Sequence, residues 1–159
     1  MERAGHVALF SEGGETPRAG DALLLPNWSA ADWENLFART RTCPVRASEV
    51  VIQRGAIDRS ISFVTAGLFE VGISRVDGVS IAPLARIGAG SVIGEQSFFD
   101  GLARSANVWA VTEGELLVLQ FDEYERFGQE EPALARDLLS ALARVLSMRL
   151  RNTTFRVRR

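Results

Sequence analysis

Between residues 50 and 119 the chain is a succession of short apolar or alternating runs cut apart by glycines. The runs fall at 50–52, 61–63, 68–73, 79–82, 84–87, 108–111 and 116–119. Between them lie Gly55, Gly67, Asp77-Gly78, Gly88, Gly90, Asp100-Gly101 and Gly114. None of the runs is long enough for a helix, and their close, even spacing fits the strands of an antiparallel sheet. Asp77-Gly78 is a strong hairpin signal. Together these features predict a mainly β fold with flanking α: an antiparallel β jelly-roll barrel.

Helical spacing brackets this region. Ser29 through Asp32 reads as a capped helix start, with Trp33, Leu36 and Phe37 following at helical intervals; a helix is expected over 29–40. Asp122 and Glu125 predict a short helix. Pro132 then suits the first turn of a long C-terminal helix to about Arg151, with an apolar stripe of Leu134, Leu138, Leu142, Val145, Leu146 and Leu150. Residues 1–27 are punctuated by Gly13-Gly14, Pro17, Gly20 and Pro26 and show no period. The expected organisation is a flexible leader over 1–27, one domain over 28–151 and a basic tail over 152–159.

Composition excludes several function classes. A chain of 159 residues, 47% hydrophobic, suffices for one domain without a disulfide or metal staple. Its net charge of −2 argues against a wholesale polyanion binder, and specific DNA binding is not expected. The C-terminal residues 133–159 hold seven Arg and one Asp, read as cation placement near a helix C-terminus. Cys43 is the only cysteine and His6 the only histidine, so no Cys-based cluster, His-rich metal site or Ser/His/Asp set can be assembled. No metal, no cofactor and no enzymatic activity are expected. No run approaches the ~20 apolar residues of a membrane span, and none suits a signal-peptide core. The expected compartment is the cytoplasm.

Chemistry concentrates in residues 90–108. A strand ends at Ile93, and Gly94 permits a close backbone approach. Residues 95–99 can form one helical turn, whose N–H groups suit an anion. Arg104 offers a planar, permanently charged fork for phosphate oxygens, Ser105 a hydroxyl donor and Glu95 an acceptor for a ribose hydroxyl. That set would suit a small phosphorylated nucleoside. By themselves, a Glu and an Arg nine residues apart are most often two solvated side chains. Phe98 and Phe99 are read as packing beneath this segment.

The segment resembles the phosphate-binding cassette of the cyclic-nucleotide-binding domain family, which includes the bacterial catabolite activator and the protein kinase A regulatory subunits. The motif residues are Ile93-Gly94-Glu95, then Arg104-Ser105-Ala106-Asn107-Val108. The likeness extends over roughly 30–151, through residues 50–55, 58–64 and Gly67 to the two closing helices. It implies that Glu95 and the Gly94 backbone bind the ribose 2′-hydroxyl and that Arg104 and Ser105, beside Ala106, bind the cyclic phosphate. Amides around Gln96 and Ser97 would complete the cradle. On the last helix, Val145, Met148 and Arg149 become candidates for touching the base. Ala103 stands where the family usually has Pro, Gln96 where it has an aliphatic residue, and Asn107 where it often has Thr.

The resemblance implies a cyclic mononucleotide sensor, for cAMP or cGMP, that relays occupancy through its C-terminal helix. Only eight residues follow Arg151, too few for a helix-turn-helix output domain. A stand-alone regulatory module acting on a separate effector protein is therefore expected, with a homodimer through the C-terminal helix also possible. The alternative is a ligand-free interaction scaffold of the same fold.

Overall fold

The glycine-cut runs of the middle become strands in the computed structural model, which describes residues 2–11, 20–73, 75–76, 79–80 and 83–157. Two units are distinguished: one from Thr40 to Phe121, the other from the residues up to Arg39 together with Asp122 onward.

The Thr40–Phe121 unit is antiparallel β. Its strands are β1 (Arg41–Val45), β2 (Val50–Ile52), β3 (Ser60–Ala66), β4 (Leu68–Gly72), β5 (Arg75–Val76), β6 (Val79–Ser80), β7 (Pro83–Gly88), β8 (Val92–Ile93), β9 (Asn107–Ala110) and β10 (Gly114–Gln120). One sheet runs β1-β10-β3-β8, a second β2-β9-β4-β7, and β5 pairs with β6. The neighbours are mostly distant in sequence, as a jelly roll requires. Val45, Val64, Ile93 and Leu116 from the first sheet share one core with Ile52, Phe69, Ile87, Val108 and Ala110 from the second. The two sheets thus bury their apolar faces together.

Two tight turns lock this unit. Gly67, between β3 and β4, has φ +93°, and a Cβ there would fall 2.7 Å from both Glu113 O and Gly114 Cα. A Cβ on Gly114 would in turn stand 2.6 Å from Ala66 O. The turn after β3 and the start of β10 therefore touch backbone to backbone, which only glycine permits. The register of β10 on β3 shifts at this place, between Glu115 and Leu116.

Between β8 and β9 the chain makes the short helix α3 (Glu95–Asp100), bounded by Gly94 (φ +89°) and Gly101 (φ +70°). Both glycines are left-handed, and each turns the backbone sharply where the helix starts and stops.

The second unit holds α1 (Glu2–Ser11), α2 (Ala30–Phe37), α4 (Phe121–Glu130) and α5 (Pro132–Val157), α4 opening on the last residue of the strand unit. Ser29 and Asp32 form the expected capping box on α2. Trp33 is fully enclosed, its ring centroid 4.9 Å from Trp28, 5.3 Å from Phe10 and 5.4 Å from Phe37. Among the described residues no helix is long and apolar enough to cross a membrane.

The structure departs from the sequence reading at both ends and at one strand. The expected flexible leader over 1–27 contains α1, with Val7 and Phe10 buried, and a buried run through Ala22, Leu23 and Leu25. Two apolar residues three apart are too short a stripe to register as a period; α1 gains its place from Phe10 meeting Trp33 and Phe37. Gly13-Gly14 and Pro17 lie outside the described residues, as does the Asp77-Gly78 turn, although the β5–β6 pairing around it is antiparallel. At the other end α5 does not stop at Arg151 but runs through the expected tail to Val157. There the Thr153 and Thr154 hydroxyls donate back to the carbonyls of Arg149 and Leu150, both at 3.0 Å. Strand β1 was not expected; it holds Pro44 and, among the described residues, lies at the edge of its sheet beside β10, where proline is tolerated.

The close turn sets a first prediction. Gly67→Ala should lower stability by about 1–3 kcal/mol from backbone strain alone, with more from the contact at Glu113. Thermal denaturation of the variant checks this; an unchanged midpoint would remove the turn from its locking role.

Candidate functional site

Arg104 lies in the stretch between α3 and β9 and is only 5% exposed, which is rare for an arginine and demands partners. Its Nη1 donates to Gly94 O at 2.9 Å. Its Nη2 donates to Ser60 O at 2.8 Å and Ser60 Oγ at 3.2 Å, and lies 3.5 Å from Asp58 Oδ2. Nε is buried and has no acceptor among the described residues. The Arg104 backbone is fixed as well: its N–H donates to Ala56 O at 2.9 Å, and its carbonyl accepts from Gly55 N–H at 2.8 Å.

Gly94 is the complementary half of this arrangement. A Cβ on it would fall 2.6 Å from Arg104 Nη1 and 3.1 Å from Ser60 O. The guanidinium thus occupies the space that any other side chain would need. The carbonyl of Gly94 also accepts from Phe98 N–H at 3.2 Å, closing the first turn of α3. Glu95, the first residue of α3, is 8% exposed, and Ser97 is 3% exposed. The backbone N–H groups of Gln96 and Ser97 lie in the first turn, where a helix has no internal acceptors for them.

Ser105 is exposed, and its hydroxyl donates to Gln96 Oε1 at 2.6 Å. The polar Gln96 therefore has a local use: it holds the serine hydroxyl across the mouth of the loop. Asn107 also has one. Its Oδ1 accepts from Arg54 N–H at 2.7 Å and its Nδ2 donates to Ile73 O at 3.2 Å. Ala106 is half-buried at the bend before β9. Phe98 is fully buried, edge-on to Phe121 with centroids 5.3 Å apart.

A family model described as the cyclic nucleotide-binding domain matches residues 42–131, more than half of the chain. The chain belongs to the cyclic nucleotide-binding domain family. Modules of this family are typically regulatory and non-catalytic. Among curated proteins none matches significantly. Among solved structures, a cyclic nucleotide-binding domain from Methylobacillus flagellatus KT is 21% identical with a TM-score of 0.79, over 98% of this chain and 82% of that one. The N-terminal domain of a transcriptional regulator from Streptomyces coelicolor A3(2) is 26% identical (TM-score 0.66, 86% and 94% covered). The catabolite activator protein of Thermus thermophilus is 23% identical (TM-score 0.68), and the match covers 83% of this chain but 60% of that one.

The cyclic nucleotide-binding fold brings together Gly94, Arg104 and the start of α3, and joins Gln96 to Ser105. The three residues expected on the base lie in the other unit and are used there. Val145 is fully buried, Met148 Cε lies 3.7 Å from where a Cβ on Gly20 would be, and Arg149 Nε donates to Asp21 Oδ2 at 3.0 Å. The sequence reading missed Asp58, Arg59 and Ser60 as cassette partners. Their only local signal is a polar triplet ahead of an apolar strand, and their meeting with Arg104 and α3 spans some forty positions.

Gly94→Ala should displace the Arg104 guanidinium and add about 1–2 kcal/mol of left-handed backbone strain. Thermal denaturation together with amide exchange over 94–98 reads both effects. Wild-type stability and exchange in the variant would mean the guanidinium does not depend on the missing Cβ.

Proposed function

We propose that this chain is a regulatory module that binds a cyclic mononucleotide, cAMP or cGMP, at residues 94–106 and performs no chemistry on it. The observation that carries the reading is the buried Arg104 guanidinium set into the glycine hollow at the head of α3, with Nε left over as a donor. A phosphate is the natural complement of such a planar fork, and the burial strengthens the attraction. In this reading the cyclic phosphate takes Nε of Arg104 and the Ser105 hydroxyl, which leaves Gln96 on binding. The amides of Gln96 and Ser97 complete the anion cradle, and Glu95 with the Gly94 backbone accepts the ribose hydroxyl. Occupancy passes through the long last helix to a separate effector protein, limited by the difference in affinity between the two arrangements of that helix.

Thermal denaturation with each nucleotide is the direct test. A ligand at a hundred times its Kd adds about 2.7 kcal/mol, worth several degrees in a domain of this size. A shift with neither nucleotide would favour a ligand-free interaction scaffold. Arg104→Ala is expected to weaken binding by about 2–5 kcal/mol, since the phosphate loses its charge partner in a buried site; calorimetry showing wild-type affinity would refute the assignment. Gln96→Leu should do the opposite. It frees the Ser105 hydroxyl from an internal competitor worth about 0.5–1.5 kcal/mol, so affinity should rise several-fold. Unchanged or weaker binding by this variant would mean that the Gln96–Ser105 bond does not oppose the ligand.

A further inference from the structure

We propose that Arg59 is the positioning residue of the cassette: its guanidinium clamps the last turn of α3 against Phe121, and capture of the phosphate depends on that clamp. The inference rests on the function proposed above and adds a residue to it.

Helix α3 has six residues, far below the length at which a helix sustains itself in water. Its last carbonyls have no donors within the helix. Arg59 supplies them. Its Nε donates to Phe98 O at 3.0 Å and its Nη2 to Phe99 O at 3.1 Å. A fixed cation at this end also complements the helix dipole. The same guanidinium lies over the Phe121 ring, Cζ 3.6 Å from the centroid, a favourable cation–π placement. Phe121 in turn meets Phe98 edge-on, so one side chain ties together the backbone of α3, a buried ring of α3 and the ring that closes the strand unit. A Cβ on Gly101, the left-handed cap of α3, would lie 3.5 Å from Arg59 Nε, so the arginine runs alongside that cap.

The neighbours of Arg59 in sequence give this clamp its leverage. Asp58 lies 3.5 Å from the Arg104 guanidinium, and Ser60 accepts from it through both its carbonyl and its hydroxyl. Three consecutive residues therefore hold the phosphate-binding arginine on one side and the cassette helix on the other. The triplet thereby couples the placement of Arg104 to that of α3. The donors of Arg59 that face α3 are committed to carbonyls, so the residue acts through α3 rather than on the ligand. Lysine is a poor substitute, because a compact ammonium does not present the planar fork that spans two carbonyls while lying over a ring.

The test uses the full chain with Arg59→Gln and Arg59→Lys. Hydrogen exchange without nucleotide should show faster exchange of the amides of 98–103 in Arg59→Gln, with the amides of β3 and β10 unchanged. Calorimetry with cAMP and cGMP should show about tenfold weaker binding for Arg59→Gln and only partial recovery for Arg59→Lys, the cost of ordering a loosened cassette. Full recovery by lysine would overturn the clamp in favour of simple charge attraction. Unchanged exchange over 98–103, or wild-type affinity in Arg59→Gln, would overturn it outright. A wild type that binds neither nucleotide overturns the proposed function instead, and the exchange result then decides by itself whether Arg59 holds α3.

Discussion

A guanidinium removed from water governs the architecture of the cassette. Burying Arg104 is costly unless its donors are satisfied, and at Nη1 and Nη2 the fold meets that demand with backbone carbonyls as much as with charge, leaving Nε without an acceptor among the described residues. Gly94 O and Ser60 O accept directly, Ser60 Oγ adds a third acceptor, and Asp58 supplies the countercharge. Because two of these acceptors are main-chain atoms, the position of Arg104 is set by the paths of two segments and cannot drift with one rotamer. The glycine at 94 follows from the same demand, since the guanidinium already fills the place of its Cβ.

The loop between β2 and β3 is the other half of the device. Gly55 and Ala56 pair with the Arg104 backbone, Arg54 N–H is taken by Asn107, and residues 58–60 reach the Arg104 side chain and α3. Gln96 and Asn107 are absorbed into this local hydrogen bonding. A cassette without proline at 103 is therefore held by side-chain and backbone bonds from a neighbouring loop, where a stiffer chain would hold itself. Such bonds are each made and broken at modest cost.

The helical unit uses arginine both as a donor to backbone and in ion pairs. Arg144 reaches the carbonyls of Gly20 and Ala22, Arg149 pairs with Asp21, and Arg39 pairs with Glu130 while lying over the Phe127 ring. The arginine-rich face of α5 is thus partly spent on anchoring the segment at 20–22 to the helix.

Much of this protein was determined locally. The strand runs as far as the described residues reach, the Ser29–Asp32 capping box and the left-handed glycines at 55, 67, 90 and 101 each follow from spacing over a few residues. The meeting of Gly94 with Arg104 is likewise foreshadowed by the cassette motif. Three long-range contacts were decided only in three dimensions. Arg104 meets Ser60 across 44 positions, Arg59 meets Phe98 across 39, and Arg149 meets Asp21 across 128. Helix α1 likewise exists where Phe10 finds Trp33 and Phe37. A period in the sequence reports which face of an element is apolar. It carries no record of which distant backbone carbonyl a long, charged side chain will reach once the sheets have closed, because that is fixed by topology and burial together.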